Sequence, residues 1–142
     1  MNPTAMALAG YILWTLVLLG GILGLRSYLT VSGQRPANRF KPDGSDVSLF
    51  AERLCGAHAN CYESFPFIGG LWLLALATDT QRLTDPLALV VLASRIAQST
   101  VHLLSTSVMA VLVRFAFFLV QVLISVYWII RFISYFSTSS SL

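Results

Sequence analysis

Charge is what this chain has least of. Six acidic and nine basic residues in 142 leave a formal net charge of +3, and Lys41 is the single lysine. Basic residues this few and this scattered build no nucleic-acid patch, so nucleic acid is excluded as a partner. Cysteine is nearly absent too: Cys55 and Cys61 are the only two. On one helix they stand about 120° apart and too far along the axis for a disulfide. No Cys/His spacing matches a zinc site, so no metal is expected. The N-terminus lacks a basic leader and a small-residue cleavage site, and its apolar segment is expected to be a retained span.

What remains is apolar. The chain is 56% hydrophobic with a mean hydropathy of +0.76, well above soluble composition. A span needs about 20 apolar residues to cross about 30 Å of hydrocarbon, and the chain has room for four. They are expected at residues 6–26, 49–77, 86–106 and 114–136, with a polar loop over 27–48. The expected fold is all-α: a single integral membrane four-helix bundle, multi-pass. The loop is rich in proline and glycine, and reads equally as a lid over a site or as a plain connector. Asp46 or Ser48 can cap the second helix, and Pro66 should kink it. Thr84 or Asp85 can cap the third, with Pro86 in its first turn. Residues 137–142 read as an unstructured tail.

The polar residues that do enter the spans cluster. Arg53, Asn60 and Glu63 fall within about 80° on one side of the second helix, with Gly56 among them, while His58 points about 140° from Arg53. On the third helix Arg95, Gln98, Ser99 and His102 share one face within about 100°. Ionisable groups inside a bilayer are costly and face a bundle interior or a wet cavity. Depth along the two antiparallel helices pairs Glu63 with Arg95. The cluster reads either as a hydrogen-bonded seam between helices or as a binding site. Loops one and three carry most of the arginines. The positive-inside rule therefore puts both termini outside and the cluster near the cytoplasmic leaflet.

The motif Glu52-Arg53, Ala57-His58, Asn60, Glu63 and Pro66, with the Arg95 stripe and Arg114, resembles the MAPEG family, the membrane-associated proteins of eicosanoid and glutathione metabolism. The short, serine-rich third loop looks like the bacterial branch, which implies a bacterial inner membrane. The resemblance implies a homotrimer with glutathione as co-substrate, bound between subunits. It implies a transferase or peroxidase acting on lipophilic electrophiles. Arg53, Arg95 and Arg114 would meet the tripeptide's carboxylates and Glu63 its ammonium, alongside His58, Asn60, Gln98 and His102. Arg114 matches the arginine that stabilises the thiolate. The chain departs from the pattern at Gly56, where arginine is common, and at Gln98 and His102, where the eicosanoid enzymes carry tyrosines. The alternative within the fold is a non-catalytic lipid-binding or scaffold protein. A third reading uses His58 and His102 as haem or quinone ligands.

Overall fold

The structure, a computed structural model, describes residues 2–139. Four helices follow one another: α1 Pro3–Val31, α2 Leu49–Ala77, α3 Asp85–Leu104 and α4 Val108–Ser139. A short 3₁₀ turn, Gln81–Leu83, joins α2 to α3, and no strand occurs among the described residues. The chain runs up and down, and α3 touches all three other helices. Helix α4 packs along α3 and meets α2 only loosely. That looseness opens the clefts described below.

Helices α1, α3 and α4 are each long and apolar enough to cross a membrane. Helix α2 is as long as α1, with 29 residues each, but does not qualify by composition. Its first half carries Glu52, Arg53, His58, Asn60 and Glu63. The four expected spans are thus three apolar helices and one that is polar over half its length. Helix α4 starts at Val108, placing Arg114 inside it where the sequence reading had Arg114 open it. It also continues through Ser139, so the expected tail is helical that far. Residues 140–142 of that tail lie outside the described residues.

The caps fall differently from one reading of the sequence. Ser48 caps α2, its Oγ accepting from Ala51 N–H at 3.0 Å, because Asp46 is paired with Arg35. Thr84 precedes α3 but makes no capping bond to it. The Asp85 carboxylate serves α1 instead, accepting from Thr4 N–H at 3.0 Å and from Thr4 Oγ1 at 2.6 Å. Free N–H groups at a helix start attract a carboxylate from any direction.

The loop over residues 32–48 is held by its own side chains. Arg35 pairs with Asp46 and also donates to the Asp46 and Arg39 carbonyls. Arg26 donates to the Lys41 carbonyl at 3.0 Å. The guanidiniums of Arg26 and Arg35 lie 5.6 and 5.7 Å from the Phe40 ring centre, within cation–π range. Ser45, through its backbone N–H and then its hydroxyl, holds the Asp43 carboxyl below the usual carboxylate range. Gly44 has φ +73° and sits against the Ala51 backbone, where a Cβ would come within 2.8 Å.

The core is a ladder of aromatic rings. Tyr11 meets Trp72 edge-on at 6.0 Å, and Trp72 meets Trp128 at 6.2 Å. All three are fully buried. Pro66 lies inside an unbroken α2. A proline frees backbone carbonyls in the turn before it. Around that turn other helices supply donors: Tyr11 Oη bonds the Cys61 carbonyl at 2.7 Å, and Arg95 Nη1 the Asn60 carbonyl at 3.2 Å. Cys55 and Cys61 are both free thiols, Cys61 buried beside Ser99 at 3.4 Å.

Candidate functional site

The buried face of α2 runs through Ala57, Cys61, Ser64, Ile68 and Trp72. At 100° per residue its centre lies about 80° from Asn60, on the side away from Glu63. Asn60 therefore stands at the edge of the packed face, and Glu63 falls past it, exposed. That geometry corrects the expected Glu63–Arg95 ion pair. Arg95 is fully buried; it bonds the Asn60 carbonyl and lies 5.7 Å from the Tyr11 ring centre. Its Nε and Nη2 make no hydrogen bond among the described residues. The one salt bridge among those residues is Arg35–Asp46.

His102 reaches from α3 onto Gly56. A Cβ built at Gly56 would lie 2.8 Å from His102 Cε1, closer than real Cβ atoms come, and 3.2 Å from Nε2. The departure at Gly56 and the departure at His102 are thus one feature: the imidazole fills the space a side chain at 56 would take. Its Nδ1 lies 3.4 Å from Asn60 Nδ2. In this arrangement the Asn60 amide donates and Nδ1 accepts. Arg53 and Arg114 both lie within electrostatic range of this ring.

Asn60, Gln98 and Arg114, with Val111, Phe115 and Phe118, line a cavity of about 230 Å³ between α2, α3 and α4. Gln98 is buried, and its Oε1 accepts from Gln121 Nε2 at 3.0 Å. Arg114 is half-buried, with Nε making no bond among the described residues. Phe118 also lines a larger apolar cleft of about 570 Å³ between α2 and α4. Pro66, Phe67, Val122 and Ile129 are among its walls. A polar cavity and an apolar one therefore share a wall. The first can take a charged, amide-bearing group, and the second a lipophilic one.

Of the residues expected at the site, Asn60, Gln98, His102 and Arg114 come together, with Arg53 close by. Arg95 lies beneath them, in the core. Glu63 is on the outer surface of the single chain. His58 is half-buried and, two residues from both Gly56 and Asn60, faces the far side of α2 from His102. The two histidines do not converge, which removes the geometric basis for the haem reading. Two residues escaped the sequence reading. Gln121 is the one polar residue between Arg114 and Ser125, and a lone amide in a span is itself a signal. Tyr11 lies in mid-span, away from the usual interfacial belt, where a phenol needs a partner.

The ring-over-glycine contact has a direct consequence. Gly56→Ala should cost about 1–3 kcal/mol by overpacking, and most of that cost should vanish when His102→Ala is added. Thermal unfolding of the two single variants and the double in detergent checks it. Strictly additive losses would mean that the ring and the notch do not meet.

The family model for MAPEG matches residues 4–134. No curated protein and no solved structure matches the chain. The match runs from the first turn of α1 to the last turns of α4 and takes in every helix of the bundle, so the chain is an integral membrane protein belonging to the MAPEG family.

Proposed function

We propose that the protein is a glutathione-dependent transferase or peroxidase acting on lipophilic electrophiles dissolved in the bilayer. The observation that carries this reading is the shared Phe118 wall. It sets a polar cavity holding Arg114 and Asn60 against an apolar cleft in the bilayer region. Glutathione's thiol and amide groups suit the first, and an electrophile partitioned from lipid suits the second. The guanidinium of Arg114 would favour the thiolate, the nucleophilic form. Asn60 and Gln98 would bind peptide groups, with Arg53 serving a carboxylate.

A homotrimer belongs to the same proposal. The cavity of one chain falls below the usual range for ligand sites of about 300–1,000 Å³, so a neighbouring subunit would supply its remaining wall. Glu63, exposed on the single chain, would then find its partner across that interface. With loops one and three cytoplasmic, the cavity opens toward the cytoplasm of a bacterial inner membrane. Purified protein in mild detergent should run as a trimer by native mass spectrometry. It should bind glutathione by calorimetry and conjugate it to a small aromatic electrophile. Absence of glutathione binding at millimolar concentration would reject the reading.

A second reading keeps the same apolar cleft but not the chemistry: a lipid-binding protein without catalysis. The size of the cleft favours it. Lipid retention with no glutathione binding would select it.

A further inference from the structure

A second polar hollow lies at the far end of α1 and shares no lining residue with the cavity of Asn60 and Arg114. It measures about 600 Å³. Arg26, Ser27, Thr30 and Asn38 give it polar walls, and Val31 and Phe40 apolar ones. Its level in the membrane follows from α1 itself. The helix carries no charge before Arg26, and its 29 residues span about 44 Å against about 30 Å of hydrocarbon. Its last turns therefore stand among the lipid headgroups, with Tyr28 exposed at the same height.

The charge balance there is one-sided. Asp46 is neutralised by Arg35, and Asp43, its carboxylate hydrogen-bonded to Ser45, is the one further anion of the loop against three cations. Arg26, Arg39 and Lys41 have no ion pair among the described residues. The Arg26 guanidinium lies over Phe40, and among the described residues its one hydrogen-bonded nitrogen is Nη2, donating to the carbonyls of Lys41 and Pro42. Nε and Nη1 remain to bind a ligand. The loop that forms the hollow is braced by Arg35 and Asp46 and by the two arginines on Phe40, so the hollow is preformed.

We propose that this hollow binds the headgroup of an anionic phospholipid. The phosphate diester carries one negative charge, and a free oxygen of it can accept a charge-assisted bond from Nη1 or Nε of Arg26. Ser27, Thr30 and Asn38 supply hydroxyl and amide groups for a hydroxyl-bearing headgroup. The acyl chains then run down the exposed apolar face of α1, past Leu23 and Leu16. The proposal does not depend on glutathione chemistry.

Native mass spectrometry of the protein released from nanodiscs tests it. In phosphatidylglycerol discs one lipid per chain should be retained, and in phosphatidylcholine discs none. Arg26→Gln should weaken retention about tenfold or more, the loss expected for a charge-assisted contact. Should Arg26→Gln loosen the loop, Asn38→Ala breaks no hydrogen bond of the fold and should still weaken retention. The double variant Arg39→Gln/Lys41→Gln removes charge outside the hollow and should leave retention nearly intact. Equal retention of both lipids would overturn the proposal. So would a loss that follows total charge, with the outer double variant as damaging as Arg26→Gln. Displacement of the lipid by millimolar inorganic phosphate would assign the hollow to free phosphate and overturn it as well.

Discussion

Trp72→Ala should be the most damaging single substitution in this chain, at about 3–5 kcal/mol. Native proteins hold only about 5–15 kcal/mol in all. The loss is one of packing. Lipid tails are as apolar as the core, so burying Trp72 away from them gains little by transfer. What disappears is the contact of its ring with Tyr11 and Trp128, leaving a void that fixed helices cannot close. No hydrogen bond is lost, because the indole N–H makes none among the described residues. Trp72→Phe should therefore keep most of the stability. Leu13, 63% exposed on α1, is the control, and Leu13→Ala should stay within about 0.5 kcal/mol of the parent. Denaturant unfolding in detergent micelles compares the three. A Trp72→Ala loss no larger than the control's would place the core elsewhere.

On the proposed function, Arg114→Ala should lower the rate of glutathione conjugation at neutral pH by roughly ten- to a hundredfold, about 1.4–2.7 kcal/mol. A guanidinium stays charged throughout the working pH range, so it favours the thiolate without titrating. The deficit should shrink as pH rises, because free thiolate then forms without help. Glutathione affinity should change much less. Asn60→Ala should do the reverse, raising KM with a smaller effect on kcat, since its amide would meet peptide groups in ground and transition states alike. Arg114→Lys should recover only part of the rate, lacking the planar fork. Ultraviolet thiolate absorbance of bound glutathione checks the cause. If it is identical in the parent and in Arg114→Ala, Arg114 only anchors α4.

The helices were legible because their signals are local. Ser48 before an apolar run, Pro86 at a helix start and uncharged stretches of about 20 residues need no tertiary knowledge. Arg53, Asn60 and Arg114 stood out in the sequence because polar groups in spans are rare. The Glu63–Arg95 pair was misplaced for a definable reason. Helical angle says which residues share an arc, but not where the packed face is centred, and Glu63 lies about 140° from that centre. Depth matched, direction did not. The cap served by Asp85 was equally hidden, since its partner Thr4 lies 81 residues away. Gly56 looked like a loss until the structure put His102 over it. Two departures that seem independent in the sequence become one contact only in three dimensions.

The bridge from Asp85 to Thr4 sets an order of events during synthesis. Thr4 leaves the ribosome first and waits for Asp85. At roughly 5–20 residues per second that interval is about 4–16 s. Throughout it, the N-terminal end of α1 is a nascent helix whose exposed N–H groups have, among the described residues before it, Asn2 as their cap. The first helix can thus enter the membrane early but is fastened at that end only when the third arrives. A chain stalled or truncated before residue 85 carries an unfastened first helix, which is the form a membrane quality-control protease would meet.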